Sequence, residues 1–255
     1  MESSTDASLT RASKDTTYEF LQQELFIANT FASTTNFLNF SPSDASSFDY
    51  QTSKPSIIFI EFLKLLQMVT NLSRQAPTHP SYLASVSPSG LRQLFEHARS
   101  LTFQIARDNH PSESQDYLHL TRTVNSFYHA GLLYSYRLLL PSSHERQTQL
   151  STSKIELFYA LNLTETNKLK PTFAQDLVWP LFIAGTEATS NEEKEMVVGE
   201  LRLAMSETGF SNCVHAVEFL DAFWQEKQCC EEEKEVEWIT FAKEWTGMGR
   251  TFLVF

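Results

Sequence analysis

Cysteine is scarce in this chain: Cys213, Cys229 and Cys230 are the only three in 255 residues. An odd count without framework spacing argues against a disulfide-stapled secreted scaffold and fits a reducing compartment. Cys229 and Cys230 are neighbours, a geometry that strains a mutual bond. No C-x-x-C pair is present, so a structural zinc site has no sequence support. Glycine (7) and proline (9) are also few, which disfavours an all-β sandwich or barrel with its many tight turns. Basic residues are outnumbered 20 to 31, leaving a formal net charge of −11. Nucleic-acid binding draws most of its affinity from neutralising phosphates, so direct binding to DNA or RNA is not expected. No uninterrupted apolar run reaches the ~18 residues that would suggest a membrane span. The G-x-S-x-G elbow, the G-x-G-x-x-G loop, the G-K-[ST] loop and an aspartate-rich D-D-x-x-D cluster are all missing. Serine-nucleophile, dinucleotide, phosphate-loop and diphosphate–magnesium chemistry therefore have no motif here, and neither a cofactor nor a metal is expected.

What remains is a 29.2 kDa chain that is 42% apolar and 20% charged, a composition that can bury a sizeable core without staples. The acidity is uneven. From Gly185 to Trp245 there are 15 acidic and 5 basic residues, which reads as a solvated face. Met1 to Lys14 is polar and Ser/Thr-rich; it lacks the apolar stretch of a secretory leader and is expected to be a disordered tail. The expected location is intracellular, nuclear or cytoplasmic, and not secreted.

The rest reads as helices. Apolar residues recur at helical spacing over Asp15–Ala32, Ser56–Arg74 (behind Pro55) and Leu91–Arg107. Asn36–Ser53 and Gln75–Gly90 read as loops. Pro111 and Ser112 open a long helix that Pro141 stops. Ser153/Glu156 and Ser190/Glu193 each have capping-box spacing, and Gly209 should end the helix that the second begins. Further helices are predicted over Ser211–Gln228 and Val236–Trp245, followed by an apolar tail, Thr251–Phe255. Trp179–Ala188 puts an aromatic, a helix-distorting proline and a glycine into ten largely apolar positions, and reads as a kinked, buried helix. The expected fold is all-α: a single-domain bundle of about eight to nine helices over residues 15–255.

The long helix is where chemistry would sit. One face carries Leu120, Val124, Phe127, Gly131, Tyr134 and Leu138; a neighbouring stripe carries His119, Arg122, Ser126, His129 and Tyr136. A buried histidine among tyrosines can line a pocket or move a proton. It can equally be a core helix whose polar tips bond to nearby backbone. The catalytic candidates are His129, Tyr128 and Tyr136; the ligand-binding candidates are Phe127, Tyr134, Trp179 and Phe182. The i, i+3 pairs Asp116/His119 and His215/Glu218 lack a third metal ligand at a telling distance.

Several ordered pieces resemble one family. Pro55-Ser-Ile-Ile-Phe-Ile-Glu-Phe-Leu63 is followed by His129-Ala-Gly-Leu-Leu-Tyr134 leading into Arg137-Leu-Leu139. Then come Trp179-Pro-Leu-Phe-Ile-Ala-Gly185, Thr208-Gly-Phe210, Val217-Glu-Phe-Leu220 with Phe223-Trp224, and Glu237-Trp238. In order and spacing, from about Pro55 to Phe255, they resemble the regulatory domain of fungal binuclear-zinc-cluster transcription factors. The resemblance implies a helical regulatory domain that senses metabolites or binds partner proteins, with Trp179, Pro180 and Gly185 as fold-defining positions. The family's six-cysteine cluster and basic region have no counterpart in these 255 residues. Two functions follow as expectations. One is a regulator or ligand sensor tied to fungal secondary metabolism, whose partner is a full-length zinc-cluster transcription factor or a second copy. The other is an enzyme that cyclises or isomerises an apolar terpenoid or polyketide in an aromatic pocket, with His129 or a tyrosine as proton donor.

Overall fold

The computed structural model describes residues 21–35, 58–77, 81–109, 115–162, 175–229 and 236–250. Among them every regular element is helical. In chain order they are α1 (21–35), α2 (Ile60–Gln75), the single turn α3 (Ser81–Ala84), α4 (Pro88–Asn109), α5 (Gln115–Leu139), α6 (His144–Asn162), a 3-10 turn (Gln175–Leu177), α7 (Val178–Glu187), α8 (Asn191–Thr208), α9 (Asn212–Cys229) and α10 (Trp238–Gly247). The fold is all-α, as the periodicity predicts. The expected tail 1–14, the loop 36–53, Pro55 and the apolar tail 251–255 lie outside the described residues.

The helix ends follow local chemistry. Pro88 is the first residue of α4, where its missing N–H has no intrahelical partner, and Ser87 Oγ accepts from the Gly90 N–H at 3.1 Å. The loop predicted over Gln75–Gly90 thus contains α3 and the start of α4. Ser190 caps α8 with both bonds of a capping box: its Oγ accepts from Glu193 N–H (3.2 Å), and Glu193 Oε2 accepts from Ser190 N–H (3.1 Å). Gly209 ends the helix at φ 75°, a left-handed conformation glycine adopts without steric cost. The cap predicted at Ser153 is not one. Ser153 is buried in the middle of α6, which starts nine residues earlier, at His144, with Ser143 Oγ accepting from Arg146 N–H at 3.1 Å. Serine followed three residues later by glutamate also occurs inside helices, and the polar run before Ser153 is helix-compatible.

A central helix, α5, organises the core, packing against α2, α4, α6 and α7. Leu120, Val124, Phe127 and Tyr134 are buried along the predicted face, with Leu138 partly so. The second hub is α7, all ten of whose residues are buried, as a helix apolar on every side requires. Pro180 is its third residue, in the first turn, where an N–H needs no intrahelical acceptor. The proline therefore starts the helix after the 3-10 turn and does not kink its interior.

Two glycines set close approaches. A Cβ at Gly131 would lie 2.2 Å from the Phe95 ring, so the bare glycine of α5 makes room for that ring of α4. A Cβ at Gly185 would lie 2.5 Å from Leu220, and the Gly185 carbonyl accepts from Trp224 Nε1 at 2.9 Å. Two ion pairs tie helices together. Arg137 makes a two-pronged contact with Glu187, both bonds 2.8 Å, tying α5 to the end of α7. Arg122 donates to the Leu161 carbonyl (2.7 Å) and to Glu200 (2.9 Å), joining α5 to α6 and α8.

Candidate functional site

The seven candidate residues divide between two sides of α5. Phe127, Tyr134, Trp179 and Phe182 are all fully buried, in the core. Phe127 stacks on Trp179 (centroids 5.8 Å, 19° between planes) and on Phe59 (4.8 Å). Tyr134 meets the Trp179 ring edge-on at 5.8 Å, and Phe182 meets Trp238 edge-on at 5.7 Å. The polar tips are satisfied. Trp179 Nε1 donates to Thr34 Oγ1 (3.1 Å), whose own hydroxyl donates to the Phe31 carbonyl. Tyr134 Oη and Thr70 Oγ1 are 2.8 Å apart, and Thr70 also bonds the Leu66 carbonyl. Burial, the dominant effect, raises the Tyr134 pKa far above its ordinary value, so the phenol stays protonated. Phe127 and Tyr134 are thus packed on Trp179, and Phe182 on Trp238 and Phe219.

Tyr128, His129 and Tyr136 lie on the side of α5 that faces α4. There a cleft of about 640 Å³ opens between α4 and α6, a size usual for small-molecule sites. Arg92, Glu96, His97, Tyr128, Glu145 and Gln149 are in its wall. Arg92 and Arg99, seven residues apart on α4, run beside the α5 stripe in the opposite sense. Arg92 approaches Tyr136 and donates across the cleft to Gln149 Oε1 of α6. Arg99 lies over the Tyr128 ring (4.4 Å to the centroid), pairs with Glu96 at 2.8 Å and reaches Asn125 Oδ1 at 3.5 Å.

Two polar atoms here are buried: His129 Nδ1, without a hydrogen-bond partner, and Tyr136 Oη, beside the Arg92 guanidinium. Burial, reinforced by the charges of Arg99 and Arg92, lowers the His129 pKa to about 4. The imidazole is thus neutral at pH 7: a hydrogen-bonding group and a poor proton donor. Burial raises the Tyr136 pKa, with Arg92 acting in the opposite direction. Tyr128 is raised too, by burial first and the Glu96 charge second. Sequence reasoning missed Arg92, Glu96 and Arg99. The signal was present as Arg-x₃-Glu-x₂-Arg on one helix face, but it acquires meaning only once that face is known to meet Tyr128 and Tyr136.

Of the suggested metal pairs, His215 Nδ1 sits 3.3 Å from Glu218 Oε2 on the surface. Among the described residues, no three His, Cys, Asp or Glu side chains are grouped to hold a metal. Also among them, no helix is long and apolar enough to cross a membrane.

The two hubs, α5 with Gly131 and α7 with Trp179 and Gly185, are among the pieces that carry the family resemblance. The family model of the fungal specific transcription factor domain matches residues 59–255. The chain belongs to that family. As a fungal transcription factor domain it has a regulatory role. The match begins one residue before α2, so α1 precedes it, yet α1 packs Phe31 against Trp179 (6.1 Å) and supplies Thr34 to its indole. No curated protein and no solved structure matches the chain.

Proposed function

We propose that this transcription factor domain regulates transcription through association with other proteins and reports on a small metabolite. Its partner is a full-length zinc-cluster transcription factor or a second copy, and its place of action is the nucleus. The observation that carries this reading is the family match over residues 59–255. Three others support it. The net charge of −11 opposes direct contact with phosphate backbones. The three cysteines of these 255 residues do not supply a six-cysteine zinc cluster. Finally, buried residues from Phe26 to Ala242 form a continuous apolar cluster, which favours residues 15–255 acting as one unit. The metabolite in this reading comes from fungal secondary metabolism.

The enzymatic reading has less in its favour. The four aromatic side chains that would shape an apolar substrate cavity are packed into the core, Phe127 and Tyr134 on Trp179 and Phe182 on Trp238, and His129, its pKa lowered by burial, is a poor proton donor at neutral pH.

A tethering assay tests the regulatory reading. The chain is fused to an unrelated DNA-binding module upstream of a reporter in a fungal host. A several-fold change in reporter output, abolished by a core-disrupting Gly185→Trp substitution, is expected. A nuclear, folded fusion that leaves the reporter unchanged would overturn it.

A further inference from the structure

The helix α10 is held differently from its neighbours. Among the described residues α5 packs closely on α7, and α7 on α9, whereas α10 has no comparable approach to any of them. Its hold is made by long side chains. Trp238 is buried against Tyr134 of α5 (centroids 6.2 Å) and Phe182 of α7 (5.7 Å). Phe241 lies on Phe219 (5.3 Å) and Phe223 (5.6 Å) of α9, and Trp245 meets Phe219 edge-on at 5.7 Å. Four rings from three helices thus floor an aromatic groove, and the contacts that bring those helices together do not involve α10.

The anchors Trp238, Phe241 and Trp245 stand at i, i+3 and i+7, one face of a helix and the spacing by which an amphipathic helix engages a groove. Charge completes the match. Glu237, one residue ahead of the first anchor, pairs with the buried Arg146 and lies 3.7 Å from Arg137. A buried guanidinium requires a carboxylate, so this end of the groove selects an acidic residue before the first ring. Phe241 and Trp245 are only partly buried. Sparse backbone contact and incomplete burial are the marks of an element that opens before the rest of the bundle unfolds. The chain's own helix therefore sits in the groove as a peptide ligand would.

We propose that α10 is an autoinhibitory occupant of this groove, and that the groove is the docking site for an amphipathic helix of a partner protein. That helix carries a carboxylate followed directly by bulky aromatic residues at i, i+3 and i+7, and it takes the place of α10. This deepens the protein-association part of the proposed function and rests on it for biological use, whereas exchange at the groove is measured without it.

The test combines hydrogen exchange of the full chain with binding of a fluorescent peptide that has the sequence of residues Val236–Arg250. The α10 amides should exchange at least ~10-fold faster than those of α5 and α7. Glu237→Gln, at a partly exposed position, should quicken α10 further and leave α5 unchanged, which also shows that the variant is folded. By fluorescence anisotropy the peptide should bind saturably, and about tenfold more tightly to Glu237→Gln than to the parent, because a larger fraction of grooves is open. Trp245→Ala loosens the other end of α10 and should act in the same direction. A peptide carrying Trp238→Ala and Phe241→Ala should not bind. Exchange of α10 only in step with α5 would overturn the proposal. So would the absence of saturable binding to both chain variants, and so would equal binding by the peptide without its rings. A silent tethered reporter strikes the regulatory reading and leaves these results standing.

Discussion

Replacing Gly131 with alanine adds one methyl group where the Phe95 ring of α4 lies against α5. The new carbon would lie 2.2 Å from Phe95 Cε1 and 2.9 Å from two more ring atoms, well inside the ~3.5–4.0 Å at which carbons attract. Phe95 is completely buried and packs on Phe62 at 6.3 Å, so its ring cannot swing into solvent. Overpacking of this kind costs about 1–3 kcal/mol, and this overlap belongs at the upper end. Against it stands the gain in helix propensity from glycine to alanine, ~1 kcal/mol. The net expectation for Gly131→Ala is a loss of about 1–2 kcal/mol. Gly199 is the control. It lies inside α8, and a Cβ there meets nothing within 4 Å, so Gly199→Ala should gain ~0.5–1 kcal/mol from the same chemical change. Urea unfolding followed by circular dichroism at 222 nm measures both, with unchanged slopes showing that stability alone has moved. In Phe95→Leu the clashing ring edge is gone, so Gly131→Ala should cost less there than in the parent, by roughly 1 kcal/mol or more of coupling. A Gly131→Ala protein as stable as the parent, or a cost undiminished by Phe95→Leu, would refute the close-approach argument.

Three further outcomes follow from the buried charges. Glu187→Gln removes the two-pronged ion pair while Arg137 keeps Glu237 at 3.7 Å, and should cost roughly 1–2 kcal/mol; a change in the urea midpoint within error would show that the pair contributes nothing. The His129 pKa of about 4 lies below its unfolded value of 6.5, so between these values the unfolded chain binds more protons. The associated stability is present above pH 6.5 and lost as pH falls toward 4. His129→Gln should flatten the stability slope in that window, and a histidine ring NMR titration with a midpoint near 6.5 would contradict the argument. Asp176 has the opposite sign. Burial first, and Glu24 second, raise its pKa from 3.8 to about 7, so the contribution of its protonated form is full below pH 3.8 and lost as pH rises through 7. Asp176→Asn should therefore stabilise the protein relative to the parent above pH 7; an equal or lower melting temperature at pH 8 would count against it.

Much of the fold was legible because helix formation leaves a local record. The apolar period of α5, the capping box at Ser190 and the glycine stop at Gly209 are each decided within a few residues, and each stands where its residues placed it. The same local logic misplaced the start of α6, because the Ser153/Glu156 spacing competes with a better cap at Ser143 ten residues earlier. At Pro180, composition suggested a bend, whereas position within the helix decided the outcome: in the first turn a missing N–H is harmless.

The candidate site was legible only in part. The sequence alone determined that α5 carries two stripes, one aromatic and one bearing His129 and Tyr136. Tertiary structure decided what each stripe meets. Phe127 and Tyr134 close on Trp179 from α7, and Trp179 in turn needs Thr34 from α1, 145 positions away. Tyr128 and Tyr136 instead come under Arg99 and Arg92 of α4. Periodicity fixes which side chains share a helix face, since that depends on backbone winding. What a face meets depends on where α4, α6 and α7 pack, and residues such as Arg92 and Gln149 acquire a role only when that packing brings them together.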